Sequence, residues 1–112
     1  MAQYQIVTPA KLGQVSMTSS AQLLYTTPAN TRTMIKNFDM CNTTSGMLTF
    51  NIYLVPSGSS PLTTNAMFYQ QTLTGYQALQ WSGVEIMYPG DTIWVQASAS
   101  GINIIMSGGE CT

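Results

Sequence analysis

Residues 47–55 run Met47-Leu48-Thr49-Phe50-Asn51-Ile52-Tyr53-Leu54-Val55. Leu48, Phe50, Ile52 and Leu54 fall on one side of an extended chain, and Thr49, Asn51 and Tyr53 on the other. That period of two marks a half-buried antiparallel strand whose polar side faces water or a neighbour. Turn chemistry brackets it, with Asn42-Thr43-Thr44-Ser45-Gly46 before and a Ser/Gly loop over residues 56–61 after. Towards the C-terminus, residues 92–99 repeat the pattern. Ile93, Val95, Ala97 and Ala99 share one face, and Thr92, Trp94, Gln96 and Ser98 the other. The preceding Tyr88-Pro89-Gly90-Asp91 suits a type II turn, because Gly accepts positive φ at its third position. Ile102, Ile104 and Met106 form a last strand before Gly108-Gly109.

Between these runs, residues 65–73 fit either a strand or a short helical turn. Residues 76–81 alternate weakly and end at Gly83, and residues 84–87 make a further short strand. Towards the N-terminus, residues 31–42 are a long strand after the turn Pro28-Ala29-Asn30. Residues 14–18 and 22–26 flank Ser19-Ser20 as a hairpin, and residues 3–8 are a short arm ended by Pro9. No segment holds a 3.6-residue period over three turns. Roughly eight short strands, with a turn about every 8–12 residues, predict an all-β antiparallel sandwich of jelly-roll type. We assign residues 1–11 to an N-terminal arm and residues 12–112 to one β-sandwich domain. For 12.2 kDa, area scaling predicts that about two-thirds of the chain's surface is buried on folding, enough for a sheet-on-sheet core.

Charge is scarce. Lys11, Arg32 and Lys36 stand against Asp39, Glu85, Asp91 and Glu110, so 6% of residues are charged where soluble domains carry about 25%. A free monomer uses charge to stay unassociated, whereas interfaces are depleted in Lys, Glu and Asp. This surface of Ser, Thr, Asn and Gln is expected to be covered by partners. A neutral secreted or adhesin surface is the alternative. Three scattered cations cannot track a phosphate backbone, which excludes nucleic acid. No basic amphipathic stretch or membrane-length apolar run is present. Residues 1–14 lack the pattern of a signal peptide, so synthesis in the cytoplasm is expected. Cys41 and Cys111 then read as two free thiols, at least one buried.

Catalysis finds no footing. Without histidine there is no Ser–His or Cys–His pair and no common zinc ligand. Asp91 in its Pro-Gly turn reads as a backbone acceptor, and Asp39 as an ion partner of Lys36 or Arg32. Glu85 and Glu110 carry no signal. The chain is expected not to be an enzyme, and to hold no cofactor or metal. The aromatic residues are different. Trp81, Trp94, Tyr53, Tyr69, Tyr76 and Tyr88 suit either a sugar-stacking platform or a protein interface. Tyr53 and Trp94 fall on the polar sides of their strands, where coverage by a subunit or by the chain's own loops would explain them. We take Tyr53, Trp81, Trp94 and Gln96 as interface candidates, with Tyr4 and Ile6 of the arm.

The order of short motifs adds a likeness. Leu12-Gly13-Gln14, Leu24-Tyr25-Thr26-Thr27-Pro28-Ala29-Asn30-Thr31, and Cys41-Asn42-Thr43 come first. Phe50-Asn51-Ile52-Tyr53-Leu54-Val55-Pro56-Ser57-Gly58, Pro89-Gly90-Asp91-Thr92-Ile93, Gly101-Ile102-Asn103-Ile104 and Ser107-Gly108-Gly109-Glu110 follow. This succession resembles a small β-sandwich domain of tailed-bacteriophage virion proteins, found in head decoration or cement proteins and in fibre and tail modules. Those domains end in Gly, an apolar residue and Glu, and Gly109 departs from that pattern. The resemblance implies no catalytic residues. It implies a virion protein that clamps the major capsid protein or other virion proteins, and an isolated single domain favours a head decoration role. A closed homo-oligomer, a trimer, suits threefold positions of a shell. The arm is expected to add a strand to a neighbour's sheet edge. The alternatives are a carbohydrate-binding host-adhesion module, or a tail, neck or fibre component.

Overall fold

Eight strands, all paired antiparallel, fill most of residues 7–112, which the computed structural model describes. They are β1 (Val7–Ser16), β2 (Gln22–Thr26), β3 (Arg32–Asn42), β4 (Leu48–Val55), β5 (Ala66–Leu73), β6 (Ala78–Met87), β7 (Thr92–Ala97) and β8 (Ile102–Cys111). One sheet has the order β1-β8-β3-β6 and the other β2-β7-β4-β5. Successive strands therefore pass from sheet to sheet, apart from the neighbours β4 and β5. That interleaving of two Greek keys is a jelly roll, as the alternation of residues 47–55 and 92–99 leads one to expect.

The core lies between the sheets. Phe50 and Ile52 of β4 and Ile93, Val95 and Ala97 of β7 face it, in the register Phe50↔Ala97 and Ile52↔Val95. Ile35, Phe38 and Met40 of β3 meet them with Ile102, Ile104 and Met106 of β8. Phe38 packs edge-on to Phe68 at a centroid distance of 6.4 Å and tilted against Trp81 at 5.6 Å. Asn42 is fully buried at the end of β3. Its Nδ2 donates to Gly46 O at 2.8 Å and Leu73 O at 3.1 Å, and its Oδ1 accepts from Thr44 N–H at 2.9 Å. One side chain thus holds the 42–46 turn against β5.

Several local expectations are corrected. Residues 14–18 and 22–26 are not a hairpin, because β1 pairs with β8 and β2 with β7. Met17 explains it: the fully buried side chain marks where the chain crosses the sandwich, with Met17 N–H donating to Ile102 O at 2.7 Å. Placing an apolar residue between the sheets outweighs a local turn at Ser19-Ser20. Residues 7–11, assigned to the arm, belong to β1, where Pro9 sits opposite Gly109. An edge strand tolerates a proline because one side of it needs no donor. Gly83 does not end a strand. It lies inside β6 beside a bulge, where Ser82 pairs with Asn37 and Glu85 with Ile35. Residues 65–73 divide, with a 3-10 turn at Thr63–Asn65 leading into β5.

β8 runs on through Gly108-Gly109, so the departure at Gly109 does not end the last strand. A Cβ on Gly109 would touch Val7 Cγ1 at 3.0 Å and Met34 Cε at 3.8 Å, so those side chains fill the place of the missing apolar residue. Gly90 has φ +88° and Asp91 N–H donates to Tyr88 O at 3.0 Å, closing the turn at Pro89-Gly90. Asp91 acts as the backbone acceptor expected of it, taking Tyr88 N–H at 3.0 Å and Ser57 N–H at 3.1 Å. Among the described residues Asp39 has no ion partner, Lys36 and Arg32 included. Its carboxylate accepts from Asn37 Nδ2 at 3.4 Å. Neither cysteine is buried, since Cys41 is exposed and Cys111 half-buried. β8 places Cys111 opposite Arg32, at the far end of β3 from Cys41. Nine residues of strand separate them by about 30 Å, far beyond disulfide reach.

Glu110, silent in the sequence, joins the two sheets. Tyr25 Oη of β2 donates to its Oε2 at 2.5 Å and lies 2.7 Å from Thr33 Oγ1 of β3. Burial, and then the bond to Glu110, push the Tyr25 phenol up to about 12 from its ordinary 10.0. A folded value above the unfolded one means that stability is full below pH 10 and falls as pH rises towards 12, where only the unfolded chain has lost the proton. Tyr25→Phe is expected to flatten this alkaline loss, measured as urea midpoints across that range.

Candidate functional site

Two outward sheet faces are available, and the sequence candidates gather on one. On the outer side of β2-β7-β4-β5, Asn51 pairs with Gln96 and Tyr53 with Trp94. Tyr53, Trp94 and Gln96 are therefore neighbours. Tyr53 is 7% exposed, whereas Thr49 and Asn51 on the same side of β4 are half-buried. The 3-10 turn at Thr63–Asn65 packs on β4, and Asn51 Nδ2 donates to Tyr53 Oη at 3.1 Å. Trp94 is half-buried with Nε1 donating to Thr92 Oγ1 at 3.0 Å, and Gln96 Nε2 donates to Ser19 O at 2.8 Å. The chain's own backbone and side chains thus make one hydrogen bond with each of these groups. Trp81 does not join them. It pairs with Phe38 in the other sheet and turns towards the core. Tyr4 and Ile6 lie outside the described residues.

The second face is one that sequence reasoning passed over. On the outer side of β1-β8-β3-β6, Val84 is 53% exposed, Ile86 41% and Ile105 37%. Ile86 sits opposite Met34, and Met34 opposite Gly109, so the apolar residues cross three strands. Beside them Ile105, Asp39 and Gln80 form a row, next to Cys41, Asn103 and Ser16. A groove of about 620 Å³ opens over these rows. Asp39 is the charged residue that lines this groove, Lys11 and Lys36 line a separate hollow beside Ile105, and Lys11 Nζ donates to Gln14 Oε1 at 2.8 Å. The available signal was apolar side chains on both sides of one strand. Val84-Glu85-Ile86-Met87 and Ile104-Ile105-Met106 each put a hydrophobic residue on the face away from the core.

No protein-family model and no curated protein matches the chain. Among solved structures it is similar to a chain of infectious bursal disease virus, Gx strain. The TM-score is 0.57 at 13% identity, over 96% of this chain and 32% of that one. It is also similar to a chain of the T13 particle of infectious bursal disease virus, an icosahedral virus. There the TM-score is 0.53 at 16% identity, over 97% of this chain and 31% of that one. What is shared is the fold. This chain spans about a third of the length of each of the viral chains it matches.

Proposed function

We propose that the chain is a non-enzymatic structural protein of a tailed-bacteriophage virion, a head decoration protein that docks on the major capsid protein through the outer face of β1-β8-β3-β6. The observation that carries this reading is that face: a jelly-roll sheet presenting Val84, Ile86 and Ile105 to solvent in a chain with 6% charged residues. Val84 and Ile86 adjoin Met34 as an apolar patch, with Ile105 apart on the same face; exposed apolar surface of this kind marks interaction sites, and few charges must be stripped of water to cover it. The likeness to a chain of an icosahedral particle supports a place in the shell, and the order of short motifs supports the bacteriophage assignment. Docked copies add interface that must break before the shell opens, which stabilises it by mass action.

Copies are proposed to close into a trimer, the symmetry of a threefold position. Light scattering over a dilution series is expected to hold at three times 12.2 kDa, and a monomer mass throughout would contradict the trimer. Val84→Lys with Ile86→Lys is expected to weaken docking on shells of the encoding virus by about 100-fold or more, since desolvated lysines at an apolar contact each cost on the order of 1 kcal/mol beyond the lost burial. Both residues are exposed, so the thermal midpoint should barely move. Co-sedimentation across a concentration series reads the affinity, and an unchanged curve would remove this face from the proposal.

A further inference from the structure

The outer face of β2-β7-β4-β5, on the opposite side of the sandwich, carries a second concavity of about 400 Å³. Asn51, Tyr53, Tyr69, Gln70, Gln96 and Ser98 line it, and no lining residue is charged. Asn51 organises the floor. Its Oδ1 accepts Gln70 N–H at 2.6 Å while its Nδ2 donates to Tyr53 Oη at 3.1 Å. Because the Tyr53 phenol accepts that bond, its own proton remains to be donated elsewhere. Gln70 has φ +55°, a left-handed conformation that costs a glutamine on the order of 1 kcal/mol. It occupies the β-bulge that interrupts the β4–β5 register between Phe50 and Ile52. The bulge sets Gln70 beside Tyr69, whose side chain is 52% exposed at the cleft wall.

We propose that this cleft binds a neutral saccharide. Sugar hydroxyls both donate and accept, and they match a lining of amides and hydroxyls that offers both kinds of group. The apolar C–H face of a pyranose suits the exposed Tyr69 ring, an apolar body with a polar tip. The volume is within the ~300–1,000 Å³ of small-ligand sites. An anionic ligand finds no cation among the lining residues, and the polar walls give an apolar peptide anchor nothing to fill. A chain docked by its β1-β8-β3-β6 face would turn this cleft outward, where a glycan on a cell surface can reach it.

The test is a ¹⁵N–¹H correlation titration of the full chain with the methyl glycosides of glucose, galactose, mannose and N-acetylglucosamine. The methyl glycoside of sialic acid serves as the charged comparison. At least one neutral glycoside is expected to shift the amides of Gln70, Gln96 and Ser98 with a Kd on the order of 1 mM, an ordinary affinity for so small a ligand. Tyr69→Ala should weaken that binding about tenfold, while Tyr69→Phe, which keeps the ring, should retain most of it. Tyr69 is exposed, so a dispersed spectrum is expected from both variants. The proposal is overturned if no neutral glycoside moves those amides, if Tyr69→Ala binds as the parent does, or if the sialic acid glycoside binds as well as the neutral ones.

Discussion

Gly108→Ala is expected to abolish folding, or to lower stability by at least about 3 kcal/mol, the upper range for overpacking a well-packed site. The reason lies in how β3 and β8 meet. β3 bulges at Lys36, so Ile35 pairs with Gly108 and Asn37 with Ser107. The bulge brings main chain against main chain, and a Cβ on Gly108 would drive into the Met34 carbonyl with Lys36 N only 3.1 Å away. Backbone on both sides cannot step aside as a side chain can. Gly109→Ala is the control, since its Cβ would meet the ends of Val7 and Met34, which can turn away. Urea denaturation of both variants, with soluble yield, checks the contrast. Equal stability of Gly108→Ala and the parent would refute the close approach.

Phe38→Ala should lower stability by about 3–5 kcal/mol, the range for removing a buried aromatic ring. Phe38 is completely buried on the central strand β3 and touches both layers, Trp81 in its own sheet and Phe68 across the core. Its loss removes two aromatic contacts at once, each worth about 0.5–1.5 kcal/mol beyond area. The cavity is flanked by Met40 and Met106, which can partly relax into it. That relaxation should hold the loss near the lower end of the range. Phe50→Leu, which keeps most of the volume of an equally deep side chain, should cost about 1 kcal/mol. The ratio of the two midpoint shifts is the measurement.

How far the fold could be read beforehand depended on which forces were local. Residues 48–55 and 92–97 alternate because each strand has one face on the core, and that signal survives without knowing the partner strand; Ala99, expected on the core face, is exposed beyond the end of β7. The type II turn at Pro89-Gly90 and the turn closed by Asn42 are also local chemistry, and their hydrogen bonds lie within a few residues. Pairing is different. Ser19-Ser20 offered a hairpin, yet Gln22 pairs with Val95 and Ser16 with Asn103, choices decided by distant residues. Bulges were hidden for the same reason. Gly83 and Gly108 looked like terminators, but each lies inside a strand: the Trp81 ring of the same strand takes the place of a side chain at Gly83, and the β3 main chain comes too close for one at Gly108.

The site was legible only in part. Tyr53, Trp94 and Gln96 lie together on one outer face because strands β4 and β7 are neighbours in register. Their burial and hydrogen-bond partners were not legible, since these depend on how side chains such as Asn51 turn and on Ser19, remote in sequence from Gln96. Trp81 looked equivalent to Trp94, but β6 lies in the other sheet and its side chain faces Phe38. The exposed pair Val84 and Ile86, and Ile105 on the same face, escaped notice because apolar residues on both sides of a strand read as deep core. Only the sheet order shows that nothing in the described chain covers them.

Cryo-electron microscopy of shells of the encoding virus, saturated with the purified chain, tests the central claim most directly. The account predicts extra density in which β1-β8-β3-β6 faces the capsid, with Val84 and Ile86 at the contact and the cleft at Asn51 and Gln70 pointing outward. Shells that bind no chain, or density in which that sheet faces solvent, would contradict it.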